Sequence, residues 1–291
     1  MIYRVRHLTR YDYRTPVDTG AHLAHLRPRS LPHQRVLRAG IDAVPAVSWR
    51  RDGHDHFGNE VTWLFLDEAH AAFQVIADAT VDVAFPEPPH RVATPSWETV
   101  AKQAWDAGGA SCQVAEFLFD SPHAPADADA SAYAERCFVP GRPVLEALLD
   151  LNVSIRRDFA FRPGVTTTST RIGEVLRRRE GVCQDFSHLM ISVLRGFGLP
   201  ARYVSGYVRT RPTLVRRGAD QSHAWVGCWL GHEHGWVDLD PTNGIVVRDE
   251  HVVIGWGRDF ADVTPLRGVI LGGGEQTLTV EVFLEEVTTQ T

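Results

Sequence analysis

Residues 181–190 read Gly181-Val182-Cys183-Gln184-Asp185-Phe186-Ser187-His188-Leu189-Met190. An apolar face begins inside this stretch: Phe186, Leu189, Met190, Val193, Leu194 and Phe197 fall at i, +3, +4, +7, +8 and +11, the period of a helix packed on one side. Gly198 and Pro200 stop it. Cys183 therefore opens the helix, where unpaired N–H groups and the helix dipole favour negative charge, and with it a thiolate. Gly181 allows a tight approach just before it, and the N–H of Cys183 is a natural donor to an oxyanion. A lone cysteine at a helix start is more often a small buried apolar group, so its role depends on which partners the rest of the chain supplies.

About forty residues on comes Ser222-His223-Ala224-Trp225-Val226, and after it Gly235-Trp236-Val237-Asp238-Leu239-Asp240-Pro241-Thr242-Asn243-Gly244. Cysteine, histidine and aspartate in that order supply a nucleophile, its base and the group that orients the base. His188 is nearer in sequence, but five residues at 100° place it about 140° around the helix from Cys183; it reads as a structural group. Asp185, in the first turn, reads as a partner of the helix dipole. Asp238 and Asp240 share strand parity, so alternation does not choose between them. Either could accept Nδ1–H of His223, and Asp240, before Pro241, could instead cap a turn.

The remaining features exclude more than they assign. The chain has 291 residues, 44% of them hydrophobic, enough for a packed core in one large domain or two smaller ones. A net charge of −6 argues against a nucleic-acid partner. No Walker loop or dinucleotide fingerprint follows a strand. His232-Glu233-His234 sits between Gly231 and Gly235 without a spaced third ligand, so it reads as a hairpin turn rather than a metal site. Arg177-Arg178-Arg179 reads as a solvated helix face. Lys102 is the single lysine in an arginine-rich chain, which base composition explains. The four cysteines, Cys112, Cys137, Cys183 and Cys228, fit no disulfide scaffold. The opening residues Met1 to His7 lack the apolar run of a signal peptide, and no apolar stretch is long enough for a membrane span, so a reducing cytoplasm is expected.

Around the site, residues 1–85 read as β-structure. Tyr3, Val5 and His7 alternate with Ile2, Arg4 and Arg6; Glu60 to Leu66 follows the turn Asp55-His56-Phe57-Gly58-Asn59; Val75 to Phe85 keeps period two. Short strands with Gly and Pro punctuation suggest a β-sandwich-like domain. Residues 86–140 read as a linker and helical segment. A helix is expected over 143–157 with a stripe of Val144, Leu145, Leu148, Leu149 and Val153, and another over 172–178 capped by Ser169-Thr170. Strands follow at 201–208, 224–230 and 235–239, closing a core over 141–250. The tail, 251–291, ends on an alternating strand through Leu278, Val280, Val282 and Leu284.

Together, Gly181 to His188, Ala201-Arg202-Tyr203-Val204-Ser205-Gly206-Tyr207, Ser222 to Val226 and Asp240-Pro241-Thr242-Asn243-Gly244 resemble the motifs of the bacterial transglutaminase-like superfamily. His7-Leu8-Thr9-Arg10-Tyr11 and Asp55 to Asn59 resemble its N-terminal domain, and Gly257 to Val263 with Pro265 to Gly268 its C-terminal segment. The resemblance implies an α+β fold with a papain-like core, a nucleophile helix packed on an antiparallel sheet. It implies Cys183 as nucleophile, His223 as base and Asp240, in Asp-Pro-Thr, as the third member. Gln184 and a nearby tryptophan are candidates for a second oxyanion donor. The function implied is acyl transfer or hydrolysis on a protein or peptide amide through a thioester, with no metal or organic cofactor. A cysteine peptidase or amidase shares these motifs, and a binding module could keep the fold without turnover.

Overall fold

The computed structural model describes residues 1–106, 113–209 and 222–287. Cys112 lies outside the described residues. The first strand, β1 (Ile2–Ala24), is the spine of an N-terminal sheet. It joins β2 (Gln34–Val44), β3 (Trp49–His54), β4 (Glu60–Leu66) and β5 (His70–Val83) with two strands from the far end of the chain, β13 (Leu266–Gly272) and β14 (Gln276–Glu286). Residues 3–12 of β1 lie between β5 and β14, and residues 20–24 lie between β4 and β13. A register shift between Asp12 and Val17 separates the two halves. The seven-stranded antiparallel sheet curls around Val17, Ile41, Leu64, Leu66, Phe73 and Val75, which form its own core.

The tail is thus not a separate segment. Its first strand, β12 (His251–Gly257), joins the core sheet, while β13 and β14 return to β1. The 86–140 stretch also packs into the main core, through Val100 and Ala104 of α1 (Trp97–Trp105) and Ala130 and Ala134 of α2 (Ala128–Ala134). The helix α3 (Val144–Asp158) has its buried face at Leu145, Leu148, Leu151, Asn152 and Ile155. Val153, expected in the stripe, is 52% exposed; the straight 3.6-residue period carries the buried face on to Leu151 and Ile155 instead. A two-stranded parallel ladder, β6 (Ala160–Phe161) with β7 (Glu180–Gly181), brackets α4 (Ile172–Arg178). The N-cap of α4 is Arg171, with no side-chain cap, because the Thr170 hydroxyl turns back to accept from the Thr167 N–H at 2.9 Å.

The helix α5 (Cys183–Gly196) is the centre of the molecule. It lies on an antiparallel five-stranded sheet ordered β11 (Ile245–Val246), β10 (Trp236–Asp240), β9 (His223–Trp229), β8 (Ala201–Val208), β12. Every residue from Asp185 to Arg195 is buried, because α2, α3 and α4 cover the side that the sheet does not. Arg195 of this helix donates to Ser121 Oγ at 2.8 Å and to the Arg258 carbonyl at 2.7 Å. His188 accepts from the Phe260 N–H at 3.2 Å. Burial holds its pKa down at about 3, so it is a neutral structural acceptor. Gly198 ends the helix at φ +71°, and the Leu199 N–H reaches back to the Leu194 carbonyl at 2.8 Å, a glycine C-cap.

The N-terminal domain docks on β12, the edge of the core sheet. Tyr3, Val5, Val81 and Val83 pack on Tyr207, Val252 and Ile254. Two buried amides replace a neighbouring strand. Gln34 exchanges hydrogen bonds with the backbone of Val253 at 2.7 and 2.8 Å, and Asn59 does the same with Trp256 at 2.7 and 2.9 Å. An exposed edge is thereby closed. No helix among the described residues is long and apolar enough to cross a membrane.

The β8–β12 contact has no room for a side chain at Gly206. A Cβ there would meet the Val252 carbonyl oxygen and the Trp225 ring. Gly206→Ala should therefore lower stability in urea by about 3 kcal/mol. Gly40→Ala, where a Cβ meets nothing within 4 Å, should stay within about 0.5 kcal/mol of wild type.

Candidate active site

Cys183 is half-buried at the first position of α5, and its thiol is free. The turn that carries it is locked by Asp185, 4% exposed. The Asp185 carboxylate accepts from the Val182 N–H at 2.8 Å and from the Thr166 hydroxyl at 2.7 Å. Asp185 thus fastens the loop before Cys183 to the helix, a more specific task than answering the dipole. A Cβ at Gly181 would sit 2.7 Å from that carboxylate, so glycine is needed for the approach.

His223 begins β9 and Asp240 ends β10, and both are fully buried. His223 Nε2 donates to Asp240 Oδ2 at 2.8 Å. The nitrogen is Nε2, not the expected Nδ1. Nδ1 is the nitrogen left for Cys183. It has no hydrogen-bond partner among the described residues, and the thiol lies close enough to favour the protonated ring. Burial lowers the affinity of His223 for its proton, but the Asp240 carboxylate overrides burial and, with Cys183, pushes the pKa up to about 10.

Asp240 does both things that its sequence position allowed. Oδ1 caps the turn, accepting from the N–H groups of Thr242 at 2.9 Å and Asn243 at 3.1 Å. Oδ2 takes His223, the Asn243 amide at 2.6 Å and His251 Nε2 at 3.4 Å. Burial works against its charge, yet the imidazole of His223 and these donors hold its pKa far below the usual carboxylate range. Asp238, the other candidate, accepts from Trp225 Nε1 at 2.9 Å instead. His232-Glu233-His234 forms the β9–β10 turn.

Two residues entered the site without a sequence signal. His251, at the start of β12, reaches Asp240 across the sheet; its pairing partner in the sequence, Val208, gives no hint of this. Tyr203 is buried beside α5, and burial, together with the Cys183 sulfur, raises its pKa well above 10. His223, Asp240 and His251 also bring three possible ligand atoms within 4.8 Å of one another. They are spent on mutual hydrogen bonds.

Residues 3–82 match the family model of the bacterial transglutaminase-like N-terminal region, and residues 131–241 match that of the transglutaminase-like superfamily. An uncharacterised protein of Mycobacterium tuberculosis is 39% identical over 98% of this chain and 92% of its own. The chain belongs to the transglutaminase-like superfamily. An uncharacterised Mycobacterium leprae protein is 32% identical over 96% of both chains. A solved structure from Cytophaga hutchinsonii, provisionally named a cysteine protease, superposes with a TM-score of 0.77 at 21% identity. It covers 100% of this chain and 92% of that one, and it establishes the superfamily fold.

The His223–Asp240 pair sets a pH dependence. His223 rises from an ordinary 6.5 to about 10, so its contribution to stability is complete below pH 6.5 and is lost as pH rises through 10. Asp240 falls from 3.8, so its contribution is present above pH 3.8 and is lost only on further acidification. Urea midpoints measured from pH 5 to 10.5 should decline above pH 6.5, and His223→Gln should flatten that decline. The same variant leaves a buried carboxylate unpaired and should cost roughly 3–5 kcal/mol at neutral pH.

Proposed function

We propose that this protein is a thiol-dependent enzyme that opens a protein or peptide carboxamide through a thioester on Cys183. The observation that carries the reading is a fully buried His223–Asp240 pair beside a free thiol at a helix N-terminus. The protonated ring holds the thiolate as an ion pair. The sulfur adds to the carbonyl carbon, and the N–H of Cys183, unpaired at the first helical position, faces the developing oxyanion. The C–N bond breaks, and His223 gives its proton to the departing ammonia or amine. An amine or water then attacks the thioester, His223 takes the incoming proton, the C–S bond breaks, and the imidazolium–thiolate pair is restored. Asp240 keeps the ring oriented throughout.

The preferred acceptor is an amine. A local match supports this: a Pseudomonas aeruginosa protein-glutamine gamma-glutamyltransferase is 37% identical over 68 residues, 22% of this chain and 10% of that one. Water as acceptor gives the amidase or peptidase version of the same steps. A reducing cytoplasm, which keeps the Cys183 thiol free, is part of the proposal.

A glutamine-containing peptide should be incubated with and without a primary amine, and ammonia, amine incorporation and backbone cleavage followed together by mass spectrometry. Wild type should incorporate the amine, and Cys183→Ala should fall by about ten-thousand-fold or more. Equal activity in the two proteins contradicts the thioester. Cysteine-dependent ammonia or fragments without incorporation would assign water as the acceptor.

A further inference from the structure

A cavity of about 760 Å³ opens where the N-terminal domain meets the β8–β10 face of the core sheet. Its walls include Arg29 and Phe57 from the N-terminal side and Arg202, Trp236 and Trp256 from the core. Trp256 lies between two guanidiniums, 3.5 Å from Arg29 and 3.8 Å from Arg202, and Arg202 also sits 4.4 Å from the Trp236 ring. Cation–π stacking of this kind satisfies the faces of the guanidiniums and joins the two domains. Their in-plane N–H groups are a separate matter, and these are what recognise paired carboxylate oxygens.

Those N–H groups are poorly answered. Nε of each arginine is buried without a partner among the described residues. Arg29 donates to neutral oxygens, the Phe57 carbonyl at 3.0 Å and Asn59 Oδ1 at 2.6 Å. Arg202 faces Asp238 at 3.7 Å, longer than a hydrogen bond, and Asp238 already serves Trp225. Burial and the charge of Arg202 bring the Arg29 pKa down to about 10, against the pull of Asp55 and Glu60. Glu116, on the same wall, is paired with His56 at 2.8 Å. Two guanidiniums therefore flank one indole; Arg202 has Asp238 as its ion partner at 3.7 Å, and Arg29 has no carboxylate partner of its own among the described residues.

The cavity is tied to the candidate active site. Arg202 is paired in register with Gly227 on β9, four residues from His223, about 13 Å along the strand. Strand parity puts His223, Trp225 and Gly227 on one face. A Cβ at Gly227 would sit 2.6 Å from Arg202 Nε, so the glycine leaves the space in which that guanidinium lies. Trp225, bonded to Asp238, packs 6.1 Å from the His223 ring and 5.2 Å from that of His251.

We propose that this cavity anchors a carboxylate of the peptide substrate through the N–H groups of Arg29 and Arg202, its apolar neighbours resting on Trp236 and Phe57. The proposal rests on the thioester reading, so its test is a binding measurement that needs no turnover. Full-length Cys183→Ala protein would be titrated, by tryptophan fluorescence and calorimetry, with acetylated glutamine-containing peptides in three versions. One carries an internal glutamate and an amidated end, one has glutamine in its place, and one has no glutamate but a free C-terminal carboxylate.

At least one carboxylate peptide should bind about tenfold or more tightly than the neutral one, with the advantage shrinking in high salt. The tighter of the two identifies the source of the carboxylate. Arg29→Gln and Arg202→Gln should remove the advantage. Arg202→Lys, which keeps the charge and the stem but loses the fork, should remove most of it while folding normally by circular dichroism. Equal binding of all three peptides, or an undiminished advantage in the folded arginine variants, overturns the subsite. If amine incorporation by wild type is intact in that event, the thioester reading stands without it.

Discussion

The structure turns on one buried ion pair. Asp240 and His223 meet at 2.8 Å with no solvent exposure on either side chain. Two charges taken out of water are costly unless each is met by its partner and by further hydrogen bonds. Asp240 meets that condition through the turn that it caps, with Thr242 and Asn243 supplying N–H groups, and through His251 from β12. The pair is therefore stable only where β9, β10 and β12 are all in register. The proposed chemistry and the sheet assembly share the same carboxylate.

The larger architecture protects that arrangement. The helix α5 brings Cys183 to the imidazole, and Asp185 fixes the last turn of chain before it. His188 and Arg195 hold the segment after β12 against α5. The N-terminal domain closes the β12 edge with the amides of Gln34 and Asn59. β12 supplies His251, so a domain that touches none of the three candidate catalytic residues still steadies the Asp240 cage. The return of β13 and β14 to β1 ties the two ends of the chain into one sheet.

Periodicity in the sequence carried the local elements well. Strand Ala201–Val208 and the helix beginning at Cys183 have the bounds that their patterns implied. Period alone could not separate Asp238 from Asp240, since both face the same way; the resemblance chose Asp240, and the sheet places it against His223. The ring nitrogen, the roles of His251 and Tyr203, and the division of the tail between two sheets were not legible. Each depends on which strands become neighbours, a long-range fact that local spacing does not encode. The Thr170 cap on α4 failed for a different reason, a competing hydrogen bond within its own loop.

The most direct measurement of the central claim is a pH titration of the His223 imidazole by NMR, with nitrogen-15 labelling to distinguish Nδ1 from Nε2. The buried carboxylate predicts a ring still protonated at pH 9, releasing its proton near pH 10. A His223 that is neutral at pH 7 would contradict the account, because Asp240 would then not be holding the charge on the ring.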